Sequence, residues 1–274
     1  MSLLNNKMRL GAVSLEVTSL ENTVPFYRDV LGLSLIRSSE TFAELGVNGT
    51  VLVNLFEDNN REVSHSSLFH MAFLLPSEQD LTAFLFHVSG LGVEVGAGDH
   101  AFSVAFYLDD PEGNGIEIYA DRPKKDWPFL EDKSLKAVTD AVDVDRLVAN
   151  YNGEPWMGMP IGTTMGHVHL QVVDVEAAKD FYIEFLGMDL KTSVPRAMFV
   201  SKNGYHHHLG INAWNRKTSR EGGSLINFEM IVDNLDAIKE AVKNQSVYSY
   251  EESDYGFFLE DGSGVTVSFV GDNF

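Results

Sequence analysis

Two stretches of the chain share one pattern of apolar and polar positions. From Leu10, LGAVSLEVTSLENTVPFYRDVLGLSL alternates apolar and polar residues like a half-buried strand and turns at Ser19. Apolar residues at helical spacing then lead to Phe26-Tyr27 and a Leu31-Gly32 stop. From Met165, MGHVHLQVVDVEAAKDFYIEFLGMDL repeats the sequence of features. Gly11 maps onto Gly166, Phe26-Tyr27 onto Phe181-Tyr182 and Leu31-Gly32 onto Leu186-Gly187, at a constant offset of 155 residues.

After each copy come further strand-like runs, TFAEL and VLVNLF in the first half, AMFVS and HLGINAW in the second. A weaker cycle follows in each half. In the first half it reads LFHMAFLLP, a helix at EQDLTAFLFHVSGLG, then VEVGAG, FSVAFYL and GIEIYAD. In the second it reads LINFEMIVD, a helix at LDAIKEAVKN, then SVYSYE, YGFFLED and VTVSFVG. The pattern predicts an α+β fold of four βαβββ modules, at about 8–57, 66–121, 164–214 and 224–272. The halves are 1–121 and 164–274, joined by a linker over 122–163 with a short helix at DVDRLVANY. One such module leaves a curved sheet with an open face, so two must face each other to make a cupped half-barrel with a cleft inside.

Composition narrows the chemistry. Hydrophobic residues make up 44% and charged residues 22% of the 274, an ordinary globular balance. No apolar run is long enough for a membrane span and no export signal is evident, so no membrane partner is expected. The chain has no cysteine, which removes thiolate metal sites and disulfides and agrees with a cytoplasmic setting. The formal charge of −20 argues against nucleic acid, whose phosphates call for a basic face. Metal ligands, where present, must be His, Asp or Glu.

The stretches LFHMAFLLP, DPEGNGIEIYADRP, MGHVHLQV and GYHHHLGIN resemble the vicinal oxygen chelate superfamily, which includes glyoxalase I, bleomycin- and fosfomycin-resistance proteins and extradiol ring-cleavage dioxygenases. The likeness spans nearly the whole chain and is greatest to catechol 2,3-dioxygenase-type enzymes, which also have four modules. Their signature is met in full by GDHAFSVAFYLDDPEGNGIE, with Gly98, His100, Phe106, Tyr107, Asp110, Pro111, Gly113 and Glu117.

The resemblance implies metal ligands early in the first strand of a module and on its last strand. Modules one and four offer Ala12, Asn54, Asn227 and Thr266 there, none of them a good ligand. Module two offers His70 and Glu117, and module three His167 and Asn212. The strong candidates converge only if module two pairs with module three, and one with four, and this cross-half pairing is expected. His70, Glu117 and His167 would then form the two-imidazole, one-carboxylate face of non-heme Fe(II) oxygenases, with Mn(II), Ni(II) or Zn(II) as alternatives. Such a face leaves positions for both oxygens of a small aromatic diol and for O2.

The resemblance also implies roles around the metal. His100 and Tyr107 match residues that contact substrate, and His169 and Asn212 are expected to line the substrate site. The position where many relatives carry an acid/base histidine holds Ser201, a departure from the pattern. Counting back by twos from Asn212 puts His208 and His206 on its face, so these are the expected proton-handling groups. The activity implied is extradiol cleavage of a catechol-like or hydroquinone-like ring. A glyoxalase-type lyase or thiol transferase and a non-enzymatic binding protein of the bleomycin-resistance type are the rivals on the same fold. Homo-oligomerisation is left open.

Overall fold

A computed structural model describes residues 2–60, 65–132, 134–214, 220–221, 224–243 and 248–272. The first half begins with β1 (Arg9–Val17), α1 (Leu20–Pro25) and a π-helical turn (Phe26–Val30), followed by β2 (Ser34–Ser38), β3 (Phe42–Val47) and β4 (Thr50–Glu57). The two-residue β5 (His65–Ser66) precedes β6 (Leu68–Leu75), α2 (Glu78–Gly90), β7 (Gly96–Asp99), β8 (Ser103–Asp109) and β9 (Gly115–Asp121). The connection carries α3 (Val144–Ala149). The second half runs β10 (Thr164–Gln171), α4 (Val175–Lys179), a second π-helical turn (Asp180–Phe185), β11 (Asp189–Val194), β12 (Ala197–Ser201) and β13 (Leu209–Asn212). It ends with β14 (Arg220–Glu221), β15 (Ser224–Val232), α5 (Leu235–Lys243), β16 (Tyr250–Glu252), β17 (Gly256–Glu260) and β18 (Thr266–Gly271). No helix of the described residues is long and apolar enough to cross a membrane.

Local chemistry explains the repeated boundaries. Ser19 and Ser77 cap α1 and α2, each accepting a backbone N–H three residues on, at 3.3 and 3.2 Å. The Leu-Gly stops require glycine, since Gly32 and Gly187 sit at φ of 81° and 79°. The Asp-Pro-x-Gly element proves to be turn chemistry. The buried Asp110 accepts the N–H groups of Glu112 and Asn114, the Asn114 side-chain amide and the Tyr27 hydroxyl, all at 2.8–2.9 Å. Asp261, at the corresponding hairpin of the fourth module, accepts from the N–H groups of Ser263 and Val265.

The strands form two eight-stranded sheets. One has the order β16-β17-β18-β15-β1-β4-β3-β2 and the other β11-β12-β13-β10-β6-β9-β8-β7. Each sheet takes one module from each half, so modules pair 1+4 and 2+3, as the vacant and filled ligand positions led us to expect. The joins are antiparallel, between β1 and β15 and between β6 and β10. Alternation then sorts the side chains. Ile116 and Ile118 of β9, Met71 and Phe73 of β6, and Val168 and Leu170 of β10 pack into the main core. The opposite faces of these strands carry Glu117, Ala72, His167 and His169. Two of the inner-face residues, Ala72 and Ala105, are small, which leaves room inside the cup.

The inter-half connection runs over this second cup. The Leu135 N–H donates to the Lys191 carbonyl on edge strand β11 at 3.1 Å, and the Thr192 hydroxyl donates to the Leu135 carbonyl at 2.8 Å. Five residues later, Asp140 pairs with Asp99 on the other edge strand, β7, through two backbone hydrogen bonds of 2.8 and 3.0 Å. Residues 135–140 thus strap the two edges of the sheet together across its mouth.

Candidate metal centre

The register of the second sheet assembles the site. Across the β6–β10 join His70 faces His169 and Ala72 faces His167. Ala72 in turn lies beside Glu117 on β9, and Glu117 beside Tyr107 on β8. Four adjacent strands therefore present His167, His70, Glu117 and Tyr107 on one face.

Three ligand atoms converge. His70 Nε2 and His167 Nε2 are 3.3 Å apart, and each lies 3.1 Å from Glu117 Oε2. The residues are only 8%, 2% and 3% exposed in the order His70, His167, Glu117. Burial alone would raise the Glu117 carboxyl. The adjacent imidazoles of His167 and His70 outweigh it and hold the group well below the usual carboxylate range. Burial pushes His70 down, against the pull of Glu117. An ionised carboxylate beside neutral imidazole nitrogen is the donor set a divalent transition metal takes, and these three residues fit one. No second cluster of this kind occurs among the described residues.

The other predicted site residues surround this cluster unequally. Tyr107 OH lies 2.6 Å from His100 Nε2, and His100 Nδ1 lies 2.9 Å from the Val138 carbonyl. A carbonyl only accepts, so Nδ1 carries the proton and Nε2 accepts the Tyr107 hydrogen. Burial, with the Glu117 charge nearby, raises the Tyr107 phenol and keeps it protonated. His169 packs edge-on to His70 with ring centroids 4.8 Å apart, and its Nε2 receives the Asn212 amide at 3.0 Å. Gly210 makes room for that ring, since a Cβ there would sit 2.8 Å from His169 Cδ2. Burial lowers His169 far below the normal imidazole range.

The histidine run divides differently from the strand-alternation expectation. β13 begins at Leu209, so residues 206–208 precede the strand and its period of two does not reach them. His206 and His207 line the cavity, whereas His208 is not among its lining residues. The His208 Nδ1 instead accepts the Lys202 N–H at 3.1 Å and lies 3.2 Å from Ser201 Oγ. Ser201 is fully buried and likewise absent from the lining.

His207 is the site residue that alternation missed. Its ring packs 4.3 Å from that of His167. His206 Nε2 is 2.9 Å from the Asp121 carboxylate, and His206 Nδ1 is 2.8 Å from His207 Nδ1. A proton on His206 Nε2, facing the carboxylate, makes its Nδ1 the acceptor. His207 then carries its proton on Nδ1 and presents a bare Nε2. Burial lowers His207 well below the usual value. The only sequence signal for this residue was its place in the His206-His207-His208 run.

The cluster lies in a cavity of about 660 Å³, within the size range of small-molecule sites. Phe69, Phe199 and Trp214 line one side and Leu135, Val138 and Thr139 of the strap another.

A family model described as Glyoxalase/Bleomycin resistance protein/Dioxygenase superfamily matches residues 9–118 and 164–268. A catechol-2,3-dioxygenase from Bacillus subtilis (strain 168) is 35% identical over 285 residues, covering 98% of this chain and 100% of that one. A provisionally assigned dioxygenase structure from Bacillus subtilis subsp. subtilis str. 168 superposes with a TM-score of 0.68 at 11% identity, covering 100% of this chain and 86% of the other. Glyoxalase I from Zea mays superposes at 0.59 and 16% identity, covering 96% and 92%. These two likenesses speak for the fold alone. The family match over both halves and the full-length relative establish that the chain belongs to the glyoxalase/bleomycin resistance protein/dioxygenase superfamily.

Proposed function

We propose that the protein is an Fe(II)-dependent extradiol dioxygenase, acting on a catechol-like or hydroquinone-like ring. The observation that carries this reading is the buried convergence of His70, Glu117 and His167 beside the Tyr107–His100 pair. The relative that is 35% identical over its full length bears a catechol-2,3-dioxygenase name, which supports it. Fe(II) held by the two imidazoles and the carboxylate would supply a meeting point for the diol oxygens and O2. With catechol, one ring carbon–carbon bond next to the diol breaks, and both oxygen atoms of O2 enter the product.

The chain's own residues position the diol and manage its protons. Tyr107, its hydrogen committed to His100 Nε2, offers its oxygen lone pairs to a substrate hydroxyl. Its raised pKa makes it a hydrogen-bonding group rather than a base. The acceptor of a hydrogen bond from the second substrate hydroxyl in this proposal is His207 Nε2, kept unprotonated by burial and oriented through His206 by Asp121. His169, held by Asn212, walls the substrate side. A glyoxalase-type site would want a second carboxylate, and the position on β13 that corresponds to Glu117 is Gly210, while Asn212 is engaged with His169. A cytoplasmic setting belongs to the same proposal and rests on the cysteine-free composition.

Anaerobic loading with Fe(II), followed by catechol and air, tests the reading. The expected result is a yellow ring-fission product absorbing in the visible. Iron shown to be bound, with no such product from a panel of catechols and hydroquinones, would refute it.

A further inference from the structure

The ring-cleavage reading leaves open what the diol ring carries, and the cavity wall speaks to that. Ser103, Thr139 and Thr192 give it hydroxyls, and most of its titratable groups cluster about the metal ligands. His70, Glu117, His167, Tyr107, His100 and His207 all lie there, joined by hydrogen bonds or ring contacts. Beyond His169 the wall turns aromatic. Phe69 packs against His169 at 4.9 Å and against Trp214 at 5.7 Å, while Phe199 lies 5.6 Å from His169. The Trp214 indole N–H donates to the Pro195 carbonyl at 3.4 Å, so the indole's one polar atom has its partner in the protein. From the strap come Leu135, Ala137 and Val138, and from edge strand β11 Val194. No lysine or arginine lies among the described residues that line the cavity, and the carboxylates there are Asp109 and Glu117.

A lone catechol would leave much of the 660 Å³ space filled by water against apolar surface. A carboxylated catechol would bring a second negative charge against a wall whose described residues include no lysine or arginine. We infer that the substrate is a catechol carrying an uncharged, apolar substituent, alkyl or aryl, seated against Phe69, Phe199, Trp214 and the strap. This substrate class rests on the ring-cleavage reading, but the recognition it describes does not need the ring to be cleaved. Three wall residues, Phe199, Trp214 and Leu135, come from the second half or the connection, whereas Tyr107 and Glu117 come from the first. Phe69 of the wall comes from the first half and His167 and His207 of the metal end from the second, so both ends of the cavity depend on the cross-half pairing.

Two measurements on the Fe(II)-loaded protein test it. In the first, anaerobic titration followed by tryptophan fluorescence compares catechol, 4-methyl-, 4-butyl- and 3-phenylcatechol with 3,4-dihydroxybenzoate. In the second, the same compounds are assayed for turnover in air. Affinity should rise with each added methylene, roughly threefold to fourfold per group until the wall is covered. The carboxylated compound should bind at least tenfold more weakly than 4-methylcatechol. Trp214→Ala should cut the butyl-over-methyl preference by about tenfold, and Phe199→Leu by less. Binding of 3,4-dihydroxybenzoate equal to or tighter than that of 4-butylcatechol overturns the inference. A flat response to chain length overturns it as well. Graded binding without turnover of any compound would overturn the ring-cleavage reading while supporting the recognition proposed here.

Discussion

Glu117 stands between two imidazoles on a strand whose repeat counterpart carries Ser268 at the same register position, so the fold does not demand a carboxylate there. Its charge is held in a place where burial opposes it, and two histidines from different halves of the chain make that tolerable. Replacing His70, Glu117 or His167 by Ala should lower metal affinity by more than about a hundredfold each, as read by metal analysis after dialysis. His167→Ala is the most informative, because metal retained in that variant would mean that the first half binds without the second. At Tyr107 the hydroxyl and its hydrogen bonds are at stake. Tyr107→Phe should leave metal content intact and lower kcat/KM by about tenfold to a hundredfold, a loss seen with any catechol that the enzyme turns over. Unchanged kcat/KM would remove Tyr107 from the proposed mechanism.

At the scale of elements, hairpins, straps and strand ends decide which residues reach the cavity. The β8–β9 turn hangs on Asp110, whose carboxylate gathers donors from the turn itself and from Tyr27 of the first module. Asp110→Ala leaves several buried donors without a partner and should cost about 3 kcal/mol, seen as a lower urea midpoint at unchanged slope. A midpoint within error of the parent protein would contradict this account of the Asp-Pro-x-Gly element. The repeated strand–helix pattern made the modules legible in the sequence, because period-two alternation and Leu-Gly stops act over a few neighbouring residues. The strap was not legible. Residues 135–140 show no periodicity, and their partners, Lys191 and Asp99, are set by the closed sheet rather than by neighbours in sequence. The division of His206, His207 and His208 was hidden for a related reason. It depends on where β13 begins, and the period of two holds only within Leu209–Asn212.

At the scale of the whole molecule, the cross-half pairing could be inferred because ligand types were missing from modules one and four and present in two and three. The pairing also concentrates buried histidines in one cup, and this couples stability to pH. Burial holds His70, His169 and His207 below the normal imidazole value and pushes His208 down to about 3. In the unfolded chain these side chains titrate near pH ~6.5. Above that pH both states are neutral there and the histidines contribute nothing to the pH dependence. Below it the unfolded chain takes up protons that the folded chain refuses, so stability falls as pH falls, by up to about 1.4 kcal/mol per pH unit for each such group. For His208 the loss continues until the pH approaches its folded value of about 3. Most carboxylates titrate near pH ~4, so the interval from about pH 6.5 to 5 isolates the histidines from the relief of the −20 charge. The metal-free protein should therefore lose urea resistance steadily between pH 7 and 5. His208→Asn, whose side-chain oxygen can still accept the Lys202 N–H, should make that loss shallower by up to about 1.4 kcal/mol per pH unit. A urea midpoint that stays level from pH 7 to 5 would mean that these imidazoles are not held neutral in the folded cup. The bare nitrogen assigned to His207 would then have to be given up.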